Sequence, residues 1–233
     1  MESNVTAQGN NPDLLGSLSP QAQQEVMNLL LRNIATTSSN YEIWVDKIYK
    51  DLDTAISRLT DSAALYLALD ETALTGILSM QMQAMYQAST ETFRNGNADL
   101  SIEHNSFRWI GEAKIIPSSA KTNLDYLNEG FLQLSTRYSK GQGNATQGGM
   151  LIYIKPNSNC KGEQGVMQDW GNYLLGEYKS SDIGINNCKL KAGCFYSEHN
   201  HETAERKYKI RHMPIVLHHK PQDKSGRNAK IYK

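Results

Sequence analysis

Apolar positions along this chain recur first with a helical period and then, after about residue 96, with the alternation of strands. Ser19 followed by Pro20 reads as an N-cap with proline in the first turn, opening a helix through QAQQEVMNLLLRNI. After the break TTSSN, a second amphipathic helix is predicted through YEIWVDKIYKDLDTAISRL, with Ile43, Val45, Ile48, Leu52 and Ile56 near helical spacing. A third is predicted from Thr60 or Asp61 to about Ala88, with a possible break near Asp70. The period then changes: ADLSIEH and FRWIGEAKII read as strands, DYLNEGFLQLSTRYSK as a helix, GGMLIYIKP as a strand, VMQDWGNYLLGEY as a helix and YKIRHMPIVLHHKP as a last strand. The pattern predicts an α/β core behind a helical N-terminal segment, without internal repeats.

The strand Phe107 to Ile116 carries charge where a buried strand should be apolar. Side chains alternate faces along a strand, so Glu112 and Lys114 share one face about 6.6 Å apart. Phe107, Trp109 and Ile115 fill the other, where Gly111 and Ala113 leave room for a helix. Alone, such a pair is an ordinary exposed ion pair, nearly neutral in energy. What surrounds it decides its meaning.

The 233 residues suffice for one large domain or a domain with a helical extension. The N-terminus has no basic start leading into an apolar run, and no stretch approaches the roughly 20 apolar residues of a membrane helix, so a cytoplasmic protein is expected. Three cysteines, Cys160, Cys188 and Cys194, speak against a disulfide framework. The zero net charge conceals a gradient. Met1 to Leu100 holds five Lys/Arg against twelve Asp/Glu, and Ala204 to Lys233 holds nine against two. The basic end suits a polyanion, with Arg206, Lys207, Lys209 and Arg211 as candidate phosphate contacts, although for the last dozen residues a solvated tail is the better reading.

Asp99 opens the preceding strand, with twelve residues between it and Glu112, and a hairpin through EHNS would bring the two carboxylates together. Two carboxylates and a backbone carbonyl, that of Ala113, make an oxygen site for Mg²⁺, with Mn²⁺ as a substitute. A lysine beside it can orient or deprotonate a water and offset charge developing on a phosphate.

Asp99 in NADLSI and Glu112-Ala113-Lys114 in WIGEAKI, in this order on consecutive strands, resemble the PD-(D/E)xK superfamily of restriction-endonuclease-like nucleases. The resemblance runs from about Asp61 to Pro221 but rests on three diagnostic residues, and Ala98 stands where members often have proline. It implies a restriction-endonuclease-like core, a mixed central sheet flanked by helices, acting as a metal-dependent DNA endonuclease that leaves 5′-phosphate and 3′-hydroxyl ends. Many members carry a further glutamate on the helix before the sheet, as metal ligand or water-orienting group, and Glu71 resembles it. Glu71 lies at helical spacing with Leu74, Thr75 and Leu78, bordering the stripe that should face the sheet; a rim acid beside Asp70 is the alternative. Some members place a glutamine and a tyrosine on the helix after the lysine strand. QLSTRY is similar, one residue longer than the usual QxxxY, which points to Gln133 and leaves Tyr138 as core. Glu129, Gln133 and Arg137 recur at i, i+4 and i+8 as a polar stripe, adding Arg137 to the candidate nucleic-acid contacts.

Other signals are weaker. Cys188, Cys194, His199 and His201 lack the spacing of paired zinc knuckles, and GQGNATQGG lacks the lysine and Ser/Thr of a phosphate-binding loop. Trp44, Trp109 and Trp170 sit on apolar faces as core. The expected organisation is a leader over 1–18, a helical segment over 19–60, a nuclease core over 61–221 and a basic tail over 222–233. The acidic helical segment is read as a surface for homo-oligomerisation or for a regulatory partner, as would suit an effector nuclease of bacterial genome defence. A catalytically silent nucleic-acid-binding or assembly module of the same fold is the other reading, and exonuclease or junction-resolving action is not separated from endonuclease action.

Overall fold

Short polar side chains open three of the helices. In a computed structural model, which describes residues 16–37, 40–90, 92–93, 97–139, 141, 143–155, 162–201, 204–217, 223 and 225, Ser19 Oγ accepts the N–H of Ala22 at 3.2 Å and starts α1 (Pro20–Thr37). Asn40 Oδ1 accepts the N–H groups of Glu42 and Ile43 at 3.0 and 3.2 Å and starts α2 (Tyr41–Asp61). The start of the leader, Cys160 and nearly all of the basic tail lie outside the described residues. Among the described residues no helix is long and apolar enough to cross a membrane.

The chain divides into two compact units, Met1–Lys47 and Ile48–Lys233. The division falls inside α2, earlier than the expected boundary after 60. Two contacts explain why the later part of α2 belongs with the sheet: Tyr49 Oη donates to the Gly148 carbonyl at 2.9 Å, and Asp53 pairs with Arg211 at 2.9 Å. Ile48, Leu52, Ile56 and Leu59 are buried at helical spacing, whereas Ile43, expected in that stripe, is 52% exposed.

The third helix is broken as anticipated near Asp70, but it is shorter. After α3 (Ala63–Tyr66), Asp70 Oδ1 caps α4 (Glu71–Gln83) by accepting the Ala73 N–H at 2.8 Å. Gln87–Ser89, expected to end that helix, instead forms the edge strand β1. A small hairpin, β2 (Thr92–Phe93) with β3 (Asn97–Ala98), precedes β4 (Leu100–His104) and β5 (Phe107–Ile116). The chain reverses at Asn105-Ser106, with Asn105 at φ 54° in the left-handed region that asparagine tolerates. Then follow α5 (Lys121–Leu132), a π-helical turn over Gln133–Tyr138, β6 (Gln147–Ile154), α6 (Glu163–Glu177), β7 (Ile183–Asn187), β8 (Phe195–His201) and β9 (Arg206–Val216).

These strands form an α/β architecture with a mixed, open seven-stranded sheet in the order β1-β4-β5-β6-β9-β8-β7. The central three, β5, β6 and β9, run parallel, and the flanking pairs are antiparallel. All eight residues of β6 are buried, as expected of a parallel strand covered on both faces. Ile110, Ile116, Met150, Ile152 and Ile154 pack on that face with Leu127, Phe131 and Leu134 from α5 and the π turn, and with Val166 and Trp170 from α6. On the other face the Trp109 indole lies edge-on to Tyr49, ring centres 6.1 Å apart. That indole occupies the space above Gly111 and Gly149, where added β-carbons would fall 2.9 and 2.5 Å from it. The gap expected over Gly111 for a helix is therefore filled from within the strand itself.

Candidate active site

β4 begins at Leu100, paired with Gly111, while the antiparallel β5 continues past that pair to Ile116. Beyond that point the backbone of β5 loses its antiparallel partner, and two carboxylates take over its outward donors. Asp99 Oδ2 accepts the N–H of Ala113 at 2.7 Å, and Glu71 Oε2 accepts the N–H of Ile115 at 2.8 Å. Alternate residues of a strand direct their N–H groups to the same edge, so 113 and 115 are the next two donors after 111. The break in the expected strand ADLSIEH at Asp99, between β3 and β4, frees that side chain for this role. Glu71 comes from the first residue of α4, which the Asp70 cap holds in place.

Each acid is pinned through one oxygen. Glu71 Oε1 lies 3.9 Å from Lys114 Nζ, and Glu112 Oε1 lies 2.5 Å from the same ammonium. Lys114 is buried to 6% exposure and Glu112 to 2%. The structure thus brings together Asp99, Glu112, Lys114 and Glu71. In an extended strand a residue's C=O faces the same edge as its N–H, which sets the Ala113 carbonyl on the freed edge beside Asp99.

Burial and the charge of Asp99 push the Glu112 carboxyl up to about 8, against the pull of Lys114. Burial also raises Glu71, with Lys114 opposing. At Lys114 burial works against the charge, yet the carboxylates of Glu112, Glu71 and Asp99 together hold the ammonium above its usual range. Lys114 is therefore a cation at neutral pH, suited to orienting a water and stabilising phosphate charge rather than to taking a proton.

Three acids crowd around one cation, and Glu112 Oε2 is buried without a hydrogen-bond partner. A hard divalent cation fits this donor set: Asp99, Glu112 and the Ala113 carbonyl as ligands, with Glu71 beside them. Among the described residues no three His, Cys, Asp or Glu side chains form a ready-made metal cluster; two carboxylates and a carbonyl need no third. Cys188 and Cys194 are buried free thiols, and no zinc group assembles from them and the nearby histidines.

Two residues join the site that sequence reasoning did not place there. Tyr126 of α5 has its ring 5.3 Å from Lys114 Nζ, and after burial itself the charge of Glu71 helps to raise its phenol. It is 43% exposed, at the mouth of the cluster. Tyr138, read as core, is buried, and after burial itself the charge of Glu112 is the main influence raising its phenol. Its spacing to Gln133 exceeds QxxxY by one residue, and the π turn spans both; its i→i+5 hydrogen bonding accommodates the additional residue. Gln133 is half-buried and makes no hydrogen bond to the four charged groups. The helical signal available for Tyr126 was its i, i+4 relation to Gly130, which touches Lys114.

The basic candidates separate. Arg206 and Lys207 are exposed on β9, Lys207 with Glu198 at 3.9 Å, and Lys209 lies over the Tyr196 ring at 4.2 Å. Arg137 is exposed, its guanidinium 5.7 Å from the Tyr138 ring. Arg211, expected among the phosphate contacts, is fully buried: Nη2 meets Asp53 Oδ2 at 2.9 Å and Nη1 donates to the Tyr49 carbonyl at 3.3 Å. It sits on a central strand under α2, so its charge ties helix to sheet. Comparison with protein-family models, curated proteins and solved structures gives no match to this chain.

Proposed function

We propose that this chain is a magnesium-dependent nuclease with a restriction-endonuclease-like core, hydrolysing phosphodiester bonds in DNA as an endonuclease. The observation that carries the reading is the Lys114 ammonium held between Glu112 at 2.5 Å and Glu71 at 3.9 Å, beside Asp99 on the freed edge of β5. A divalent cation held by Asp99, Glu112 and the Ala113 carbonyl, with Mn²⁺ able to replace Mg²⁺, would supply Lewis-acid activation and neutralise charge at the scissile phosphate. Lys114 orients the attacking water for in-line displacement at phosphorus. Glu112 and Glu71 fix the ammonium from two sides, and the Tyr126 ring covers it. Arg137, Arg206, Lys207 and Lys209 provide candidate phosphate contacts away from the chemistry, and Gln133 is retained as a substrate-positioning group. The acidic N-terminal helices offer a surface for a second copy or a regulatory protein, in keeping with an effector role in bacterial defence.

One observation favours a second reading, a catalytically silent module. Asp99 and Glu71 both cap backbone N–H groups of β5, a purely structural use of an acid. Incubation of the purified protein with supercoiled, linear and single-stranded substrates, in Mg²⁺, Mn²⁺ or chelator, separates the two. The nuclease reading expects metal-dependent cleavage that Asp99→Ala, Glu112→Ala and Lys114→Met each abolish. Lys114→Met keeps the buried stem and should retain metal binding. Wild-type cleavage by any of the three folded variants would overturn the assignment.

A further inference from the structure

A second site lies away from the carboxylate cluster. A cavity of about 330 Å³ opens between the end of α5 with its π turn, the segment after α6, and β8, and none of the four charged residues described above lines it. Its walls are aromatic: the Phe131 ring lies 5.6 Å from Tyr178 and 5.5 Å from His199, both tilted edge-to-face. Both ring nitrogens of His199 are buried without a hydrogen-bond partner. His201, two residues on and on the same face of β8, uses Nε2 on the Ser139 carbonyl at 3.1 Å and leaves Nδ1 unpartnered. Buried polar atoms of native proteins are nearly always satisfied, and here two residues that line one cavity carry three ring nitrogens whose hydrogen-bonding capacity the protein itself does not use.

Its chemistry follows from what the cavity offers. No metal-binding group of three assembles among the described residues. Burial, with smaller contributions from His201 and Lys207, pushes His199 down to about 4, so its imidazole is neutral and presents one donor and one acceptor. With Asp182 also on the wall, the interior suits an uncharged group better than an anion. Arg206, not itself part of the lining, is an exposed cation directly opposite the lining residue His201 in the β8–β9 ladder and therefore on the same face. A flat, uncharged ring with edge donors and acceptors, attached to an anion, meets all these demands.

We propose that the cavity holds the base of a nucleotide between Phe131, Tyr178 and His199, with Arg206 at its phosphate. The inference rests on the proposed nuclease function only for its expectation of nucleic-acid-type ligands. The ligand is either a free nucleotide or an unpaired nucleotide of a strand.

The test is titration calorimetry of the full chain, in chelator, with the four nucleoside 5′-monophosphates and the corresponding nucleosides up to about 1 mM. At least one nucleotide should bind saturably. His199→Leu, which removes donor and acceptor while filling similar volume, should weaken it about tenfold or more. Arg206→Gln should weaken the nucleotide and leave its nucleoside unchanged. Thr136→Trp, at an exposed position of the lining, should block entry and serves if His199→Leu does not fold. Displacement by a single-stranded oligonucleotide would assign the site to an unpaired base of a strand, and persistence in its presence to a free nucleotide. Failure of all four nucleotides to bind, or binding unchanged in both His199→Leu and Thr136→Trp, overturns the inference. Asp99→Ala should bind nucleotide like the wild type, so loss of cleavage and loss of this site are read separately.

Discussion

The side chain of Lys114 lies across Gly130 of α5: a β-carbon at 130 would fall 2.9 Å from Lys114 Cε and 3.0 Å from Cγ. Gly130→Ala thus sets two effects against each other. Alanine favours the helix by up to about 1 kcal/mol, while the new methyl must push a buried stem whose ammonium is fixed by Glu112. Displacement of a positioned group by a fraction of an ångström lowers rate steeply. Cleavage should fall about tenfold or more, while the melting temperature moves by only a few degrees. Full activity in the alanine variant would show that the position of Lys114 is not critical.

Glu71→Gln should reduce cleavage by less than Asp99→Ala does. The amide oxygen can still accept the Ile115 N–H, now held at 2.8 Å, so the edge of β5 stays capped. What is lost is the negative charge 3.9 Å from Lys114. If turnover is untouched, Glu71 serves the strand edge alone.

His212 makes a pH-dependent contribution to stability. It is fully buried, accepts the Trp170 indole N–H at Nδ1 (2.9 Å) and lies 2.8 Å from Ser197 Oγ through Nε2. The indole can only donate, so Nδ1 must stay unprotonated. Burial, with His199 adding to it, lowers the imidazole from 6.5 to about 3. The folded state therefore binds fewer protons than the unfolded chain between these values. The stabilisation is present above about 6.5 and is lost as pH falls towards 3, by at most about 1.4 kcal/mol per pH unit. Thermal melts at pH 7.5 and 4.5 should differ less for His212→Phe than for the wild type.

Arg206, Lys207 and Lys209 should behave differently from Arg211. Replacing the first three with glutamine should flatten the salt dependence of duplex binding, by a slope of about 0.9 for each phosphate no longer neutralised. Arg211→Gln should instead destabilise the fold by about 1–3 kcal/mol, because it takes the 2.9 Å partner from the partly buried Asp53 and leaves it only Lys191 at 3.9 Å. Denaturant melts and fluorescence titrations at several salt concentrations distinguish the two. A stable Arg211→Gln protein with a reduced salt slope would return Arg211 to the binding surface.

Strand and helix periods were legible because they are local. The alternation through Phe107 to Ile116 placed Glu112 and Lys114 on one face, the Ser19 cap marked the start of α1, and Asp70 marked a break whose cap lies where α4 begins. The same local reading established which acids precede the lysine and in what order. It could not establish where β4 stops pairing with β5, and that end point turns Asp99 and Glu71 towards the freed N–H groups of Ala113 and Ile115. β7 and β8 escaped notice because glycine, asparagine and histidine interrupt their apolar alternation; β8 exists through pairing with β9 and β7 through pairing with β8, which only the assembled sheet supplies. Arg211 read as one cation in a basic run, and its burial depends on Asp53 and Tyr49, more than 150 residues earlier in the chain. Residue types and their spacing thus determined the available chemistry, while long-range packing decided which charges face water, which face one another, and which end in the core.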